Sequence, residues 1–227
     1  MNQLLQDDPS IQDAITRGYA NYSGVGRLLR PKVEAYLGKR VKLEAMITAV
    51  KRFKGGQRLK LAEVNPVLGQ STINLRGDIA KVTVQKNQRT LHALRRGISE
   101  VKNEFIEIVQ GIEAVTLIFD DKFREDVRSL FWKQDILDES GNLAAIIVQS
   151  PEDILNTPCC LSVLYNMLCR INVNIEETVS CYNETIIVVK MENVGKSFLA
   201  LSEVISQIRG YKSEPGKTVQ VSKPEKK

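Results

Sequence analysis

Between an apolar strand and an apolar helix the chain reads Thr157-Pro-Cys-Cys-Leu161. A loop that runs into a helix N-terminus leaves backbone N–H groups without helical partners, and such groups seat a carboxylate. That is binding chemistry. Groups for bond-breaking chemistry are sparse. His92 is the single histidine, and it sits beside the apolar stripe of an expected helix, where a structural role is expected. Asp120-Asp121 and Glu176-Glu177 are acidic pairs, but neighbours on a strand face opposite ways. No glycine-rich phosphate loop and no nucleophile elbow occurs. No catalytic residue and no cofactor is therefore assigned. Cys159, Cys160, Cys169 and Cys181 lack CxxC spacing, so no metal site is assigned either. Reduced, buried thiols acting as small hydrophobes are expected, with Cys169 on the apolar stripe of its helix.

The elements around this loop occur twice. Ile79–Gln85 (IAKVTVQ) is echoed by Leu143–Gln149 (LAAIIVQ) at an offset of 64, and Thr116 by Thr185 at an offset of 69. The second copy thus carries five extra residues between its landmark strands. A repeat of this kind is read before anything else. The first copy predicts a strand at 79–85, a helix at 90–101, a hairpin at 105–119 and a short helix at 123–131, with Trp132 packing at a domain join. Asp138–Asn142 reads as a turn cluster separating the copies. The second copy predicts a strand at 143–149, a loop at 150–158, a helix at 160–170, strands at 174–181 and 185–190, and a helix at 195–208. In each copy the order is the split-βαβ pattern. The expected fold class is α+β: two ferredoxin-like βαββαβ modules with antiparallel sheets, helices on one face, behind a small all-α N-terminal domain.

That N-terminal region predicts helices from Ser10 (N-cap) to Gly18, from about Ser23 to Gly38 with Pro31 as a break or kink, and over 43–53. The expected domains are 1–65, 66–141, 142–210 and a polar tail 211–227 in which 218–222 could add an edge strand. The net charge of +5 is uneven: residues 1–65 hold 12 Lys/Arg against 6 Asp/Glu. Arg27, Arg30, Lys42, Lys51, Arg52 and Lys54 mark this basic region, and DNA backbone is one candidate partner. Solvated surface charge is the other reading, and base-reading Asn or Gln is missing from the third helix. No run approaches a membrane span and the first residues lack a secretory pattern, so the cytoplasm is the expected location.

The segment Thr157–Glu176, TPCCLSVLYNMLCRINVNIE, followed by Ser180–Val189, SCYNETIIVV, resembles the ACT domain, a small regulatory module that usually binds amino acids. The match covers about 143–208; the first copy resembles it in outline only. The helical N-terminus resembles the region preceding ACT modules in archaeal ACT-domain proteins, and its Asn21-Tyr-Ser and Leu43-Glu-Ala segments loosely resemble a helix-turn-helix. The resemblance implies an amino-acid ligand whose α-carboxylate is held by amides near Cys159–Leu161, with Thr157, Pro158, Cys159, Cys160, Leu161, Asn174 and Ile175 forming the site and Asn174 meeting polar groups of the ligand. It implies a non-catalytic regulator that dimerises through its ACT modules. One departure stands out: the family has Gly where this chain has Cys159, and glycine there tolerates positive φ. The alternative function is an interaction subunit that binds a partner enzyme without DNA.

Overall fold

The computed structural model describes residues 1–16, 18–53, 61–98 and 105–211. Lys54 and the expected edge strand at 218–222 lie outside them. The chain divides into two compact units, Met1–Lys60 and Leu61–Lys227.

The described residues of the first unit hold α1 (Asn2–Gln6), α2 (Pro9–Thr16), α3 (Tyr22–Leu37) and α4 (Leu43–Arg52). The cap of α2 is Asp8, not Ser10: the Ile11 amide donates to the Asp8 carboxylate at 3.0 Å. Pro9 then falls at the first helical position, where its missing N–H costs nothing. Asn21 caps α3 by accepting from the Gly24 amide at 3.0 Å, so the helix starts at Tyr22, one residue before the expected start. Pro31 does not break α3, which runs on to Gly38 in the left-handed conformation (φ 66°). Leu5, Ile11, Leu29, Val33, Met46 and Phe53 form the core of this unit.

The second unit begins with α5 (Leu61–Leu68). Then come β1 (Thr72–Gln85), α6 (Gln88–Ile98), β2 (Ile106–Gln110), β3 (Ala114–Asp120), α7 (Arg124–Ser129), β4 (Ile136–Gln149), α8 (Cys160–Arg170), β5 (Glu177–Cys181), β6 (Glu184–Lys190) and α9 (Met191–Tyr211). In place of two sheets there is one, antiparallel throughout, in the order β2-β3-β1-β4-β6-β5.

The centre of that sheet departs most from expectation. β1 and β4 are each 14 residues long and pair along their length. Each bends at the same place in the repeat, at Gly77-Asp78 and at Gly141-Asn142, where Asp78 (φ 53°) and Asn142 (φ 55°) adopt left-handed backbone. The register between the strands shifts after Arg76 and again after Ile79. Asp and Asn tolerate this conformation, and a bulge increases local twist. Residues 138–142 are therefore not a turn between modules but lie inside β4, because a bulge uses the residue types a turn uses. The register also moves the second landmark. Val84 pairs Val115 while its repeat equivalent Val148 pairs Thr185. Thr185 thus corresponds to Val115, not Thr116.

Both faces of the sheet are apolar. On the outer face, Ala80, Val82, Val84, Leu117 and Phe119 pack with Leu94 and Val127 of α6 and α7. Ile146, Val148, Ile187 and Val189 pack with α5, α8 and α9. Ile79, Ile118, Leu143, Ala145, Ile186 and Val188 form a separate cluster on the inner face, each buried to 2% exposure or less. The Lys81 ammonium on this face lies 3.4 Å from the Glu176 carbonyl, just before β5. Three strand spacings of a flat sheet would separate them by about 14 Å. Glu107 on β2 is held above the usual carboxylate range by burial and by the like charge of Glu184 on β6, four strands away. The sheet therefore folds over itself and encloses its inner face.

Candidate functional site

β4 ends at Gln149, and ten residues, 150–159, intervene before α8. Only Lys86 and Asn87 separate β1 from α6. The difference at this loop is thus larger than the five residues counted from the landmarks, because later connections in the second half are shorter. The long loop is pinned at its base. Ser150 donates its amide to the Asn183 carbonyl at 2.9 Å, and the Asn183 side chain donates back to the Ser150 carbonyl at 2.8 Å. The Ser150 hydroxyl meets the Ser71 hydroxyl at 2.8 Å, both residues being buried. A short 3-10 turn spans Glu152–Asn156, and the Thr157 hydroxyl closes it on the Asp153 carbonyl at 2.7 Å.

Cys159 is the N-cap of α8, with φ 73° and ψ 0°, and its side chain makes no capping hydrogen bond. Its left-handed backbone is the conformation for which glycine is favoured. The Ser162 hydroxyl bonds the Cys159 carbonyl at 2.8 Å instead of serving an amide. The first-turn amides of α8 are thus left without a side-chain acceptor. At this end of the helix lies a cavity of about 410 Å³ lined by Ile154, Leu155, Thr157, Cys159, Cys160, Leu161, Ser162, Ser180 and Tyr182. Tyr182, at the hairpin tip, has φ 53°. Its phenol is held above its ordinary value by a hydrogen bond to the Glu152 carboxylate. Burial, and then the neighbouring Cys159, push the Cys160 thiol up, so Cys160 behaves as a wall residue.

Of the expected site residues, Thr157, Cys159, Cys160 and Leu161 line this cavity. Pro158 is exposed and outside its lining. Asn174 is turned away, its amide donating to the Glu176 carboxylate at 3.1 Å, and Ile175 packs against the outer-face core. Ser162, Ser180 and Tyr182 were missed; the Tyr182-Asn183 pair between two strands was a turn signal that could have pointed there. Cys169 is exposed, contrary to its expected burial, because the buried stripe of α8 is Cys160, Leu164 and Leu168.

α6 is finished differently. The Thr90 amide donates to the Asn87 side chain at 3.0 Å, and the Asn87 amide donates to the Thr90 hydroxyl at 3.0 Å. This reciprocal box satisfies the helix end from within. Arg89 grips buried Asp135 with two hydrogen bonds, at 2.8 and 2.6 Å, and lies 4.4 Å from the Trp132 ring. Hydrogen bonding to Arg89 lowers the Asp135 carboxyl. Trp132 is 61% exposed rather than packed at a join.

In the first unit, Arg27, Lys42, Lys51 and Arg52 are exposed. Arg30 is paired with Glu34 at 2.9 Å, and Glu34 also accepts from the Val41 amide. Among the described residues no group of His, Cys, Asp and Glu is arranged to hold a metal, and no helix is long and apolar enough to cross a membrane.

No family model and no curated protein matches the sequence. Solved structures match in fold. The aspartate kinase of Clostridium acetobutylicum, an allosteric enzyme, is 14% identical with a TM-score of 0.50 over 59% of this chain and 34% of that one. The aspartate kinase of Synechocystis is 13% identical with a TM-score of 0.50, over 61% and 27%. The ligand-free regulatory subunit of Thermus thermophilus aspartate kinase is 12% identical with a TM-score of 0.49, over 59% and 97%. The chain spans about a third of the length of the Clostridium enzyme. At these identities the likeness is one of fold, and it agrees with the ACT-type fold expected from the sequence.

Proposed function

We propose that this chain is a non-catalytic regulator in which the uncapped N-terminus of α8 binds an amino acid. The observation that carries this is the contrast between the two helix ends. The N-terminus of α6 is capped, the Asn87 side chain accepting from the Thr90 amide and the Thr90 hydroxyl from the Asn87 amide, whereas α8 has no side-chain cap and faces a cavity. A ligand α-carboxylate supplies the missing acceptor there, favoured by the helix dipole. Ser180 and Tyr182 sit across the cavity for the rest of the ligand. The allosteric character of the Clostridium acetobutylicum aspartate kinase, which has a similar fold, supports this reading by analogy alone.

In the same reading, residues 66–141 and 142–210 are two ACT-like modules fused through β1 and β4. Each long strand then serves as first strand of its own module and as fourth strand of the other. The edge strands β2 and β5 are where two copies of the chain pair. The output passes through the helical region 1–65, in the cytoplasm. Its exposed cations fit a nucleic-acid backbone, and an enzyme partner bound without DNA is the alternative.

Thermal unfolding of the full chain with each standard amino acid at millimolar concentration tests the site. One of them is expected to stabilise, by about 2.7 kcal/mol at a hundredfold excess over Kd. If none shifts the transition, the site is not an amino-acid site. For the output, binding of the full chain to duplex DNA is measured at two salt concentrations. A salt-sensitive signal is expected, and its absence favours the enzyme partner.

A further inference from the structure

We propose that the exposed face of α3 and the turn after it bind single-stranded nucleic acid, RNA or DNA, with a base stacked on Tyr36. This rests on the reading that the output passes through the helical region 1–65, and it names the class of strand that region takes.

Residues 22–42 hold six Lys/Arg and one carboxylate. That carboxylate, Glu34, is engaged on the spot. It accepts from the Val41 amide at 2.8 Å and from Arg30 at 2.9 Å, and these bonds hold it below the usual carboxylate range. Arg40 also lies in its field. Arg27, Lys32, Lys39 and Lys42 are exposed and form no ion pair among the described residues. The Glu34 bond to Val41 also fixes the turn. Together with left-handed Gly38 (φ 66°) it ties the chain after α3 back to the helix. The turn carrying Lys39 is thus held at the end of the helix that carries Tyr36.

Leu28, Lys32 and Tyr36 follow at i, i+4 and i+8, one row about 12 Å long on α3. All three are exposed, Tyr36 to 89% and Leu28 to 63%. The opposite side of the helix is buried through Gly26, Leu29 and Val33. In a duplex the bases stack on one another and only phosphates meet such a face, so Tyr36 and Leu28 gain nothing from it. A single strand turns its bases out. They stack on the phenol ring and the apolar row while the cations follow the phosphates. α4 points the same way. A duplex reader sets polar side chains of a helix against base edges. α4 instead exposes Glu44, Ala45 and Thr48, and the Thr48 hydroxyl is spent on the Glu44 carbonyl at 2.8 Å.

Fluorescence anisotropy of the full chain is measured with labelled uridine-rich RNA and thymidine-rich DNA of about twelve nucleotides and with duplex DNA of the same sequence, each at two salt concentrations. One single strand or both are expected to bind about tenfold more tightly than the duplex, and the tighter of the two assigns RNA or DNA. Tyr36→Ala is expected to weaken single-strand binding about tenfold, close to 1.4 kcal/mol, and to leave the duplex unchanged. Tyr36→Phe is expected to keep single-strand binding, because the ring and not the hydroxyl stacks. Replacing both Lys32 and Lys39 by Gln is expected to flatten the slope of log affinity against log salt by about 1.4, the share of two single-strand phosphate contacts. These side chains are exposed, so the melting temperature of each variant is expected to match that of wild type. Equal affinity for the duplex, or undiminished single-strand binding by Tyr36→Ala, overturns the proposal while the nucleic-acid output stands. Binding to none of the three strands overturns both, as does binding to phosphatidylserine vesicles alone.

Discussion

The two halves of the sheet run the same elements in the same order and finish their first helix in opposite ways. α6 follows its strand after two residues and is capped by the reciprocal Asn87–Thr90 pair. α8 follows after ten and closes with a left-handed cysteine that caps nothing. Self-capping makes a helix end a structural part; leaving it open makes it a receptor for an acceptor from outside. A repeated frame can thus diverge at its connections while its strands stay in register.

The largest effect expected from breaking this comparison lies in the shared centre. Ile79 and Leu143 occupy equivalent positions and are both fully buried in the inner-face cluster. Ile79→Ala and Leu143→Ala should each cost about 2–5 kcal/mol. Both should lower one common denaturant transition of the sheet unit. Two separable transitions, each sensitive to one variant, would show that the halves fold independently.

Next comes the capping difference. Asn87→Ala should cost about 1 kcal/mol, and the amino-acid response should be untouched. Cys159→Gly should do the reverse in sign. It relieves about 1–2 kcal/mol of left-handed strain, offset by the greater chain entropy of glycine, for a net gain of about 0.5 kcal/mol. A loss of stability there would mean that the thiol packs better than its half-buried position suggests.

The smallest expected effects are two carboxylates of the first half that respond to pH with opposite sign. Asp135 is lowered by Arg89, so its contribution is present above the unfolded pKa and lost as pH falls through the folded one. Asp135→Asn should flatten the acid limb of a stability–pH profile. Glu107 is raised by burial and Glu184, so the fold favours its protonated form and loses stability as pH rises from the unfolded pKa through the folded one. Glu107→Gln should therefore raise the neutral-pH melting temperature relative to wild type, by an amount that disappears in acid.

What was legible in the sequence was what is local. The repeated element order put a helix at 160–170, the bounds of α8, and a loop before it, where the cavity lies. What was not legible depends on partners distant in the chain. Thr116 and Thr185 match as letters, but cross-strand pairing sets the correspondence one residue away. Residues 138–142 carry turn composition, and only the neighbouring strand makes them a bulge. Asn174 is the exception, since the Glu176 carboxylate that takes its amide is only two residues on. Trp132 is exposed because Arg89, on another element, supports its ring.

The pairing of β1 with β4 also has a consequence in time. Thr72 is matched to Gln149 and Ile73 to Val148. At synthesis rates of roughly 5–20 residues per second, the first half of β1 waits about 4–15 s for its partner to be made. During that interval a strand with open hydrogen bonds stands on the nascent chain, so the strand that later unites the sheet is first an unpaired edge, and a natural place for a chaperone to bind.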